Sequence, residues 1–510
     1  MKKKITNEFV PYFSILSFYV ISRIFFYLFG VRFQPGGDIT SPHYIDPLLL
    51  KENFFESLFY LHSQPPLFNF LYGVSLKIFP NNNLIFWNCF YFTIGIVLAV
   101  AVFQLMCALR VHRKIAEFLT IIFILNPAII YLENWFFYSY MVLVLLVLSA
   151  LFLFRFIESK ETSQGIILFC LLACLVLLRS IFHVFWFVLC VCILIFFCRK
   201  EAKKILQICL IPLLVILFFY MKNYFIFGKF TLSSTWLGVL SLEMAASEVP
   251  LAERIKAFNE GDVSAFSDPM VFRTNRPKTF TNEAFTNLNE IHAKKELLKV
   301  KKTNIPILDH LTKPSSKKIN WNSLTHLKIS EYFKNDAIYY LRNYPQAFLI
   351  TAANAYLLNF FPGPTDKNFS NRRYLFHYEN AYNFMFYRLN QINNNHPYFQ
   401  CNLKILSRQH QMLRWDVLSF TSFLIIVIIY WTILVYGAIR GFMAVRKNSD
   451  LAWGLCVLYM SGNIVYFTFL NVCLSPFANN RYRISIDGFY LALLGILLTA
   501  LFCRDQNKTA

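Results

Sequence analysis

Charge is scarce in this sequence, and negative charge scarcest: 15% of the 510 residues are charged, with 28 Asp and Glu against 49 Lys and Arg. A soluble domain has roughly a quarter of its residues charged, so an ordinary water-facing surface is excluded for most of the chain. Paired CxxC spacing is also missing, which leaves the twelve cysteines without a zinc-type arrangement. Most of them (Cys107, Cys170, Cys174, Cys190, Cys192, Cys198, Cys209, Cys456) lie inside apolar runs and read as small buried hydrophobes. No internal repeat, glycine-rich phosphate loop or low-complexity tract is present. No small-residue cleavage site follows Met1–Lys4 and the apolar run Phe9–Val31, so this run is expected to stay as a first helix.

What is there is apolar and aromatic. Hydrophobic residues make up 57% of the chain, and 57 Phe and 28 Tyr help raise the aromatic share to 18%. Mean hydropathy is +0.46. This is membrane composition. Runs of the roughly 20 residues needed to span occur at about 9–31, 84–109, 115–132, 136–154, 205–221, 418–439, 451–470 and 484–503. The run 166–197 is too long for one helix and holds Arg179, Ser180 and His183 near its middle, where an isolated charge is costly. Read as a hairpin, it places every basic cluster on one side: Lys2–Lys4, Arg110–Lys114, Arg155–Lys160, Arg199–Lys204, Arg440–Lys447 and Arg504–Lys508. The expectation is therefore an all-α polytopic membrane protein of about ten transmembrane helices with both termini cytoplasmic. It divides into a transmembrane module 1–221, an extracytoplasmic loop domain 222–417 with a re-entrant or surface helix near 345–361, and C-terminal helices 418–510. The +21 net charge fits cytoplasmic loops and contact with membrane lipids, and no nucleic-acid partner is inferred.

That topology gathers the unusual polar residues on the side away from the cytoplasm. The first loop there contains Asp38, His43-Tyr44 and Asp46-Pro47, then His62-Ser63-Gln64-Pro65-Pro66-Leu67-Phe68-Asn69. Flexible linkers favour Gly and Ser, so this stretch holds something in place. The second turn carries Glu133 among Tyr131, Trp135 and Tyr138. The hairpin tip supplies Arg179 and His183. Lys222-Asn223-Tyr224 and Trp236 open the long loop. Arg481 and Arg483 flank Tyr482 before the last span, opposing the positive-inside tendency and so pointing to an anionic partner.

An aspartate in the first outer loop followed by a His/Gln-Pro-Pro-Leu-Phe turn resembles the GT-C superfamily of integral-membrane glycosyltransferases, nearest the branch with protein O-mannosyltransferases and lipid A aminoarabinose transferases. The resemblance covers about the first 240 residues and the last turn. It implies that Asp46, or Asp38 in its place, is the catalytic base and that Glu133 assists the acceptor or a metal. It also places His62, Gln64, Tyr138, Lys222, Asn223 and Trp236 in substrate contacts. Arg179, His183, Arg481 and Arg483 would meet the lipid phosphate, whose charge grows as it departs.

The expected reaction is transfer of a sugar, with inversion, from a polyprenyl-phosphate donor to a glycan, lipid or protein acceptor. A divalent cation is compatible with Asp38, Asp46 and Glu133, but no His-rich ligand set calls for one, so no cofactor or metal site is assigned. Usage of Lys, Asn, Ile and Phe suggests a bacterial inner membrane with the site facing the periplasm. A lumenal site in the endoplasmic reticulum has the same topology, and there Asn368-Phe369-Ser370 would be a glycosylation acceptor. Two alternatives compete: a flippase for a lipid-linked sugar, and a polysaccharide ligase or polymerase centred on Arg372, Arg373, His377 and Arg414.

Overall fold

The computed structural model describes residues 2–34, 43–264, 266–267, 300–360, 371–387, 417–447, 449–475 and 479–503. The chain is an all-α integral membrane protein. No β-strand occurs among the described residues, only isolated bridges between Gln34 and Trp135 and between Thr312 and Ile319.

The first part comprises α1 (Lys2–Leu28), α2 (Pro47–Glu52), α3 (Phe54–Phe59), α4 (Pro66–Ile78), α5 (Asn83–Ala108) and α6 (Arg113–Leu125). It continues with α7 (Pro127–Glu133), α8 (Ser139–Ser159), α9 (Thr162–Leu178), α10 (Val184–Phe197) and α11 (Ala202–Phe227). The middle segment supplies α12 (Ser234–Ala246), α13 (Leu251–Asn259), α14 (Pro306–Asp309), α15 (Leu324–Asn343), α16 (Pro345–Leu358) and α17 (Arg372–Tyr387). Last come α18 (Val417–Arg446), α19 (Leu451–Leu474), α20 (Asn479–Ile484) and α21 (Asp487–Phe502).

Among the described residues, six helices are long and apolar enough to cross a membrane: Val10–Leu28, Asn83–Ala108, Ser139–Ser159, Arg199–Phe227, Leu424–Arg446 and Leu451–Leu474. The pair α6 and α7 makes a seventh if its 59° bend is counted within one span. The bend has a local cause: Asn126 caps α7 by accepting a hydrogen bond from Ala128 N (2.9 Å), and Pro127 occupies its first position, where no N–H is needed. The remaining segments counted as spans from sequence form α9, α10 and α21, of 17, 14 and 16 residues. At 1.5 Å per residue these are shorter than a hydrocarbon core of about 30 Å. The chain does break between α9 and α10, at Arg179–His183, where the hairpin tip was expected. α11 runs past residue 221 to Phe227 and stops where Gly228 takes the left-handed conformation, φ +66°. A helix does occupy 345–358, and it packs against α12, α15 and α19.

Burial separates inner from lipid-facing helices. α8 is the most enclosed span, with 78% of its apolar window buried against α5, α9, α19 and α21. The windows of α11 and α18 are 28% and 22% buried, leaving residues such as Phe218, Phe225, Ile428 and Ile429 facing outward. A membrane solvates such side chains at no cost, whereas water would not.

The middle segment builds a second core. Trp236, Val239 and Leu242 of α12 bury against Ile329, Phe333 and Tyr340 of α15, with Trp321 between. The two helices meet closely because Gly238 has no side chain, and a Cβ there would overlap the Ser330 carbonyl and hydroxyl oxygens. Gly238→Ala is expected to cost about 1–3 kcal/mol through overpacking, read as a lower thermal midpoint in detergent. Gly462→Ala, where a Cβ meets nothing within 4 Å, is expected to leave the midpoint unchanged or slightly raised.

Candidate functional site

The site begins with an ion pair that anchors its scaffold. Glu133, the last residue of α7, is 4% exposed and receives Arg23 of α1 through Nη2 (2.5 Å) and Nε (3.0 and 3.1 Å). Tyr19 and Tyr140 donate their hydroxyls to the same carboxylate at 2.9 and 3.2 Å. Arg23 Nη1 donates to Ile124 O at the end of α6 (2.7 Å) and to Ser22 Oγ (3.0 Å). One network thus ties α1, α6, α7 and α8 together. Both charges are buried, but each is matched and hydrogen-bonded, the condition under which such a pair is tolerated.

Holding Glu133 holds the turn that follows it. Phe136 N donates to Gln34 O (3.1 Å) and Gln34 N to Asn134 O (3.0 Å), securing residues 134–136 to the first loop. The rings of Trp135 and Phe137 stack at 4.4 Å, and those of Phe137 and Tyr138 at 4.2 Å.

Cations gather on this aromatic shelf. The Arg481 guanidinium lies 5.4 Å from the Trp135 ring centre, 5.0 Å from Phe137 and 5.1 Å from Tyr482. Arg179 lies 4.4 Å from the Tyr482 ring and 4.9 Å from Phe467. Tyr482 therefore meets both guanidinium groups. Burial pushes its phenol up, but Arg481 and Arg179 outweigh burial and bring it below the ordinary tyrosine range. Arg179 is 6% exposed, and its buried Nη1 has no hydrogen-bond partner among the described residues. The groups whose charge acts on it are Tyr138, Tyr482 and Arg481, none of them a carboxylate.

His43 completes the cluster. Its ring stacks on Trp236 (5.2 Å, 14°), meets Phe137 and Tyr138 edge-on, and faces Gln64 Nε2 through Nδ1 at 3.1 Å. Burial, with the positive charges of Arg481, Lys313 and Arg179, pushes His43 down to about 3, so the imidazole is neutral at neutral pH.

The middle segment closes over the first loop through a second set of bonds. Asp46 Oδ1 caps α2 by accepting from Leu48 N (2.8 Å), while Oδ2 accepts from Ser315 N (2.8 Å) and Ser315 Oγ (2.6 Å). His62 Nε2 faces the Asn322 carbonyl at 2.8 Å and Nδ1 faces Ser234 Oγ at 2.6 Å. A carbonyl only accepts, so Nε2 carries the proton. Burial pushes His62 down to about 4 against the opposing effect of that hydrogen bond. Asn322 Oδ1 accepts from Ser63 N (3.2 Å), and Lys222 Nζ donates to Leu61 O (2.7 Å).

The residues singled out from sequence therefore separate into groups. Gln64, Tyr138, Arg179, Trp236 and Arg481 come together around His43. Asp46, His62 and Lys222 fasten the first loop to neighbouring segments, and Asn223 Nδ2 donates to Thr231 O (2.6 Å). Glu133 sits in the Arg23 pair. His183 caps α10 and contacts Phe185, Tyr220 and Phe230. Arg483 pairs with Asp487 (3.2 Å), since residues two apart on helix α20 point in different directions. Asp38 lies outside the described residues, as do Arg414, Asn368 and the side chain of Arg372. Arg373 is exposed and bonded to Tyr374 OH (2.6 Å). His377 also lies on α17, its ring 5.2 Å from Phe376. Among the described residues, no group of three or more His, Cys, Asp or Glu side chains is placed to hold a metal ion.

Sequence reasoning missed Arg23, His43, Lys313 and Tyr482 as contributors. Arg23 had a signal, being a charge inside a span. Lys313 had none within a lysine-rich stretch. Comparison of the chain with protein-family models, with curated proteins and with solved structures finds no match in any of the three.

Two predictions follow from this geometry. Arg23→Leu or Glu133→Leu alone strands a buried charge and is expected to cost about 3–5 kcal/mol; the double variant recovers most of that loss, checked as a thermal-melting cycle in detergent. The second concerns pH. His62 and His326 are both fully buried and pushed down to about 4, whereas an unfolded histidine titrates near 6.5. As pH falls below about 6.5 the unfolded chain binds protons that the folded chain refuses, so stability falls. By pH 5.5 the loss is about 1 kcal/mol per histidine, and His62→Gln flattens the fall in thermal midpoint between pH 7.5 and 5.5 whatever its effect at neutral pH.

Proposed function

We propose that the chain is a GT-C-type membrane glycosyltransferase that moves a sugar from a polyprenyl-phosphate donor to an acceptor at the extracytoplasmic edge of the bilayer. The observation that carries this reading is Arg179: a buried guanidinium with an unsatisfied Nη1, across Tyr482 from Arg481. A buried cation without an anion is costly, and a phosphate seated between the two arginines relieves that cost. The same charges stabilise the phosphate as the sugar leaves. Neutral His43 accepts from Gln64 at Nδ1, which places its ring proton on Nε2.

Asp46 is the proposed base, with Asp38 as the alternative. In the closed arrangement Asp46 is held by Leu48 and Ser315, so deprotonation of an acceptor hydroxyl requires the 311–320 turn to lift Ser315 away from Oδ2. Direct displacement at the sugar then inverts the anomeric centre. Glu133 serves by positioning the Trp135–Tyr138 turn. This topology keeps ten crossings, with α9, α10 and α21 as short spans, and puts the site on the periplasmic side of a bacterial inner membrane.

The reading is tested by in vitro transfer from a panel of polyprenyl-phosphate sugars. Asp46→Asn is expected to reduce kcat by about 100-fold or more, the contribution of a positioned base. Arg179→Ala is expected to reduce kcat/KM by a similar factor, while Arg483→Ala, whose side chain pairs with Asp487, changes it far less. Full transfer by Asp46→Asn and Asp38→Asn alike would sink the assignment of the base. Passage of a lipid-linked sugar across vesicles by a wild-type chain that transfers nothing would favour the flippase.

A further inference from the structure

A cavity of about 460 Å³ lies at the opposite end of α8, between α1, α5 and α8. Its Arg155 stands 17 residues along α8 from Tyr138, about 25 Å. Tyr12, Ala108, Leu151 and Phe154 give it apolar walls, and Gln104 and Arg155 give it a polar side, with Arg110 and Glu158 also lining it. The Arg155 guanidinium is held in place: Nη2 donates to Gln104 Oε1 at 2.9 Å, and the group sits 5.3 Å from the Phe152 ring centre. It forms no ion pair among the described residues, although Glu158 stands one turn further on. Arg110 pairs with Asp450 through one Nη2 and leaves its side chain 74% exposed.

An oriented, unpaired guanidinium in a cavity with apolar walls, at the end of spanning helices, matches the chemistry of a lipid phosphate with its glycerol shoulder. We propose that this cavity binds the headgroup of an anionic phospholipid, with Arg155 on the phosphate, Gln104 orienting Arg155, and Tyr12, Leu151 and Phe154 against the glycerol. Arg113 and Lys114 follow α5 in the sequence and Lys160 follows α8, and cations at these helix ends bias the choice toward a lipid of net negative charge. On the topology expected from the basic clusters, this end faces the cytoplasmic leaflet. The site is independent of the transferase reading and stands or falls without it.

The test uses the full chain in a neutral detergent, equilibrated with phosphatidylglycerol or phosphatidylcholine and examined by mass spectrometry of the intact complexes. Phosphatidylglycerol is expected to be retained in preference. Arg155→Ala lowers that preference about fivefold, the value of one arginine beside an anionic lipid. Arg440→Ala, a basic residue on α18 outside the cavity, leaves it unchanged. Gln104→Ala keeps the charge but drops the orienting bond and weakens the preference as well, so it carries the test if Arg155→Ala does not fold. Equal retention of the two lipids, equal effects of Arg155→Ala and Arg440→Ala, or unchanged preference in Gln104→Ala overturns the proposal. Displacement of the lipid by inorganic phosphate alone also overturns it, by assigning the cavity to a soluble anion.

Discussion

The arrangement depends on a carboxylate that cannot be left alone. Glu133 stands where water is excluded, and Arg23, Tyr19 and Tyr140 together meet its charge. Because those partners come from α1 and α8 while Glu133 ends α7, satisfying one side chain fixes three helices in relation to one another. Charges in low dielectric interact strongly and are little screened, so this is a constraint with little slack. The aromatic turn from Trp135 to Tyr138 inherits its position from that junction, and the plates beneath Arg481 inherit theirs from the turn.

Above the junction the electrostatics reverse sign. Arg179 and Arg481 both approach Tyr482, and neighbouring guanidinium groups repel. Ring faces offset part of that repulsion, since their quadrupoles attract cations; separately, against the upward push of burial, the charges of Arg481 and Arg179 favour the phenolate of Tyr482 and draw its phenol down. The neutral state of His43 avoids adding a further positive charge to the cluster. Neutrality there is not a detail of one side chain, because a protonated imidazole would stand beside Arg481, Lys313 and Arg179.

Much of this was legible before any coordinates. Arg179 and Arg481 were visible because charge is rare in such a chain and each interrupted an expectation, one inside an apolar run and the other on the side where basic residues are sparse. Gln64, Tyr138 and Trp236 were legible as polar or amphipathic residues at turns. Arg23 breaks an apolar run in the same way and was readable by the same rule, yet the carboxylate 110 residues later that it serves was not. Pairing across such distances is set by tertiary packing, which local pattern does not encode. Arg483 looked equivalent to Arg481 until helix α20 pointed it toward Asp487. Lys313 was illegible because lysines are common in its stretch and only the fold buries one of them. The break at residues 179–183 was legible from the polar residues inside that apolar run, but not that the arms on either side, α9 and α10, are only 17 and 14 residues long, because hydropathy measures how apolar a run is and not where its helix ends.

The bonds joining Asp46 to Ser315 and His62 to Asn322 link residues 269 and 260 positions apart. A ribosome delivers the first of each pair long before the second. Throughout synthesis of the intervening helices, the carboxylate of Asp46 and the imidazole of His62 await their partners, solvated by whatever water reaches them. These closing bonds therefore cannot form until residues 315 and 322 have been made, after every helix through α11, and a chain truncated before residue 315 would carry the early half of the site without its roof.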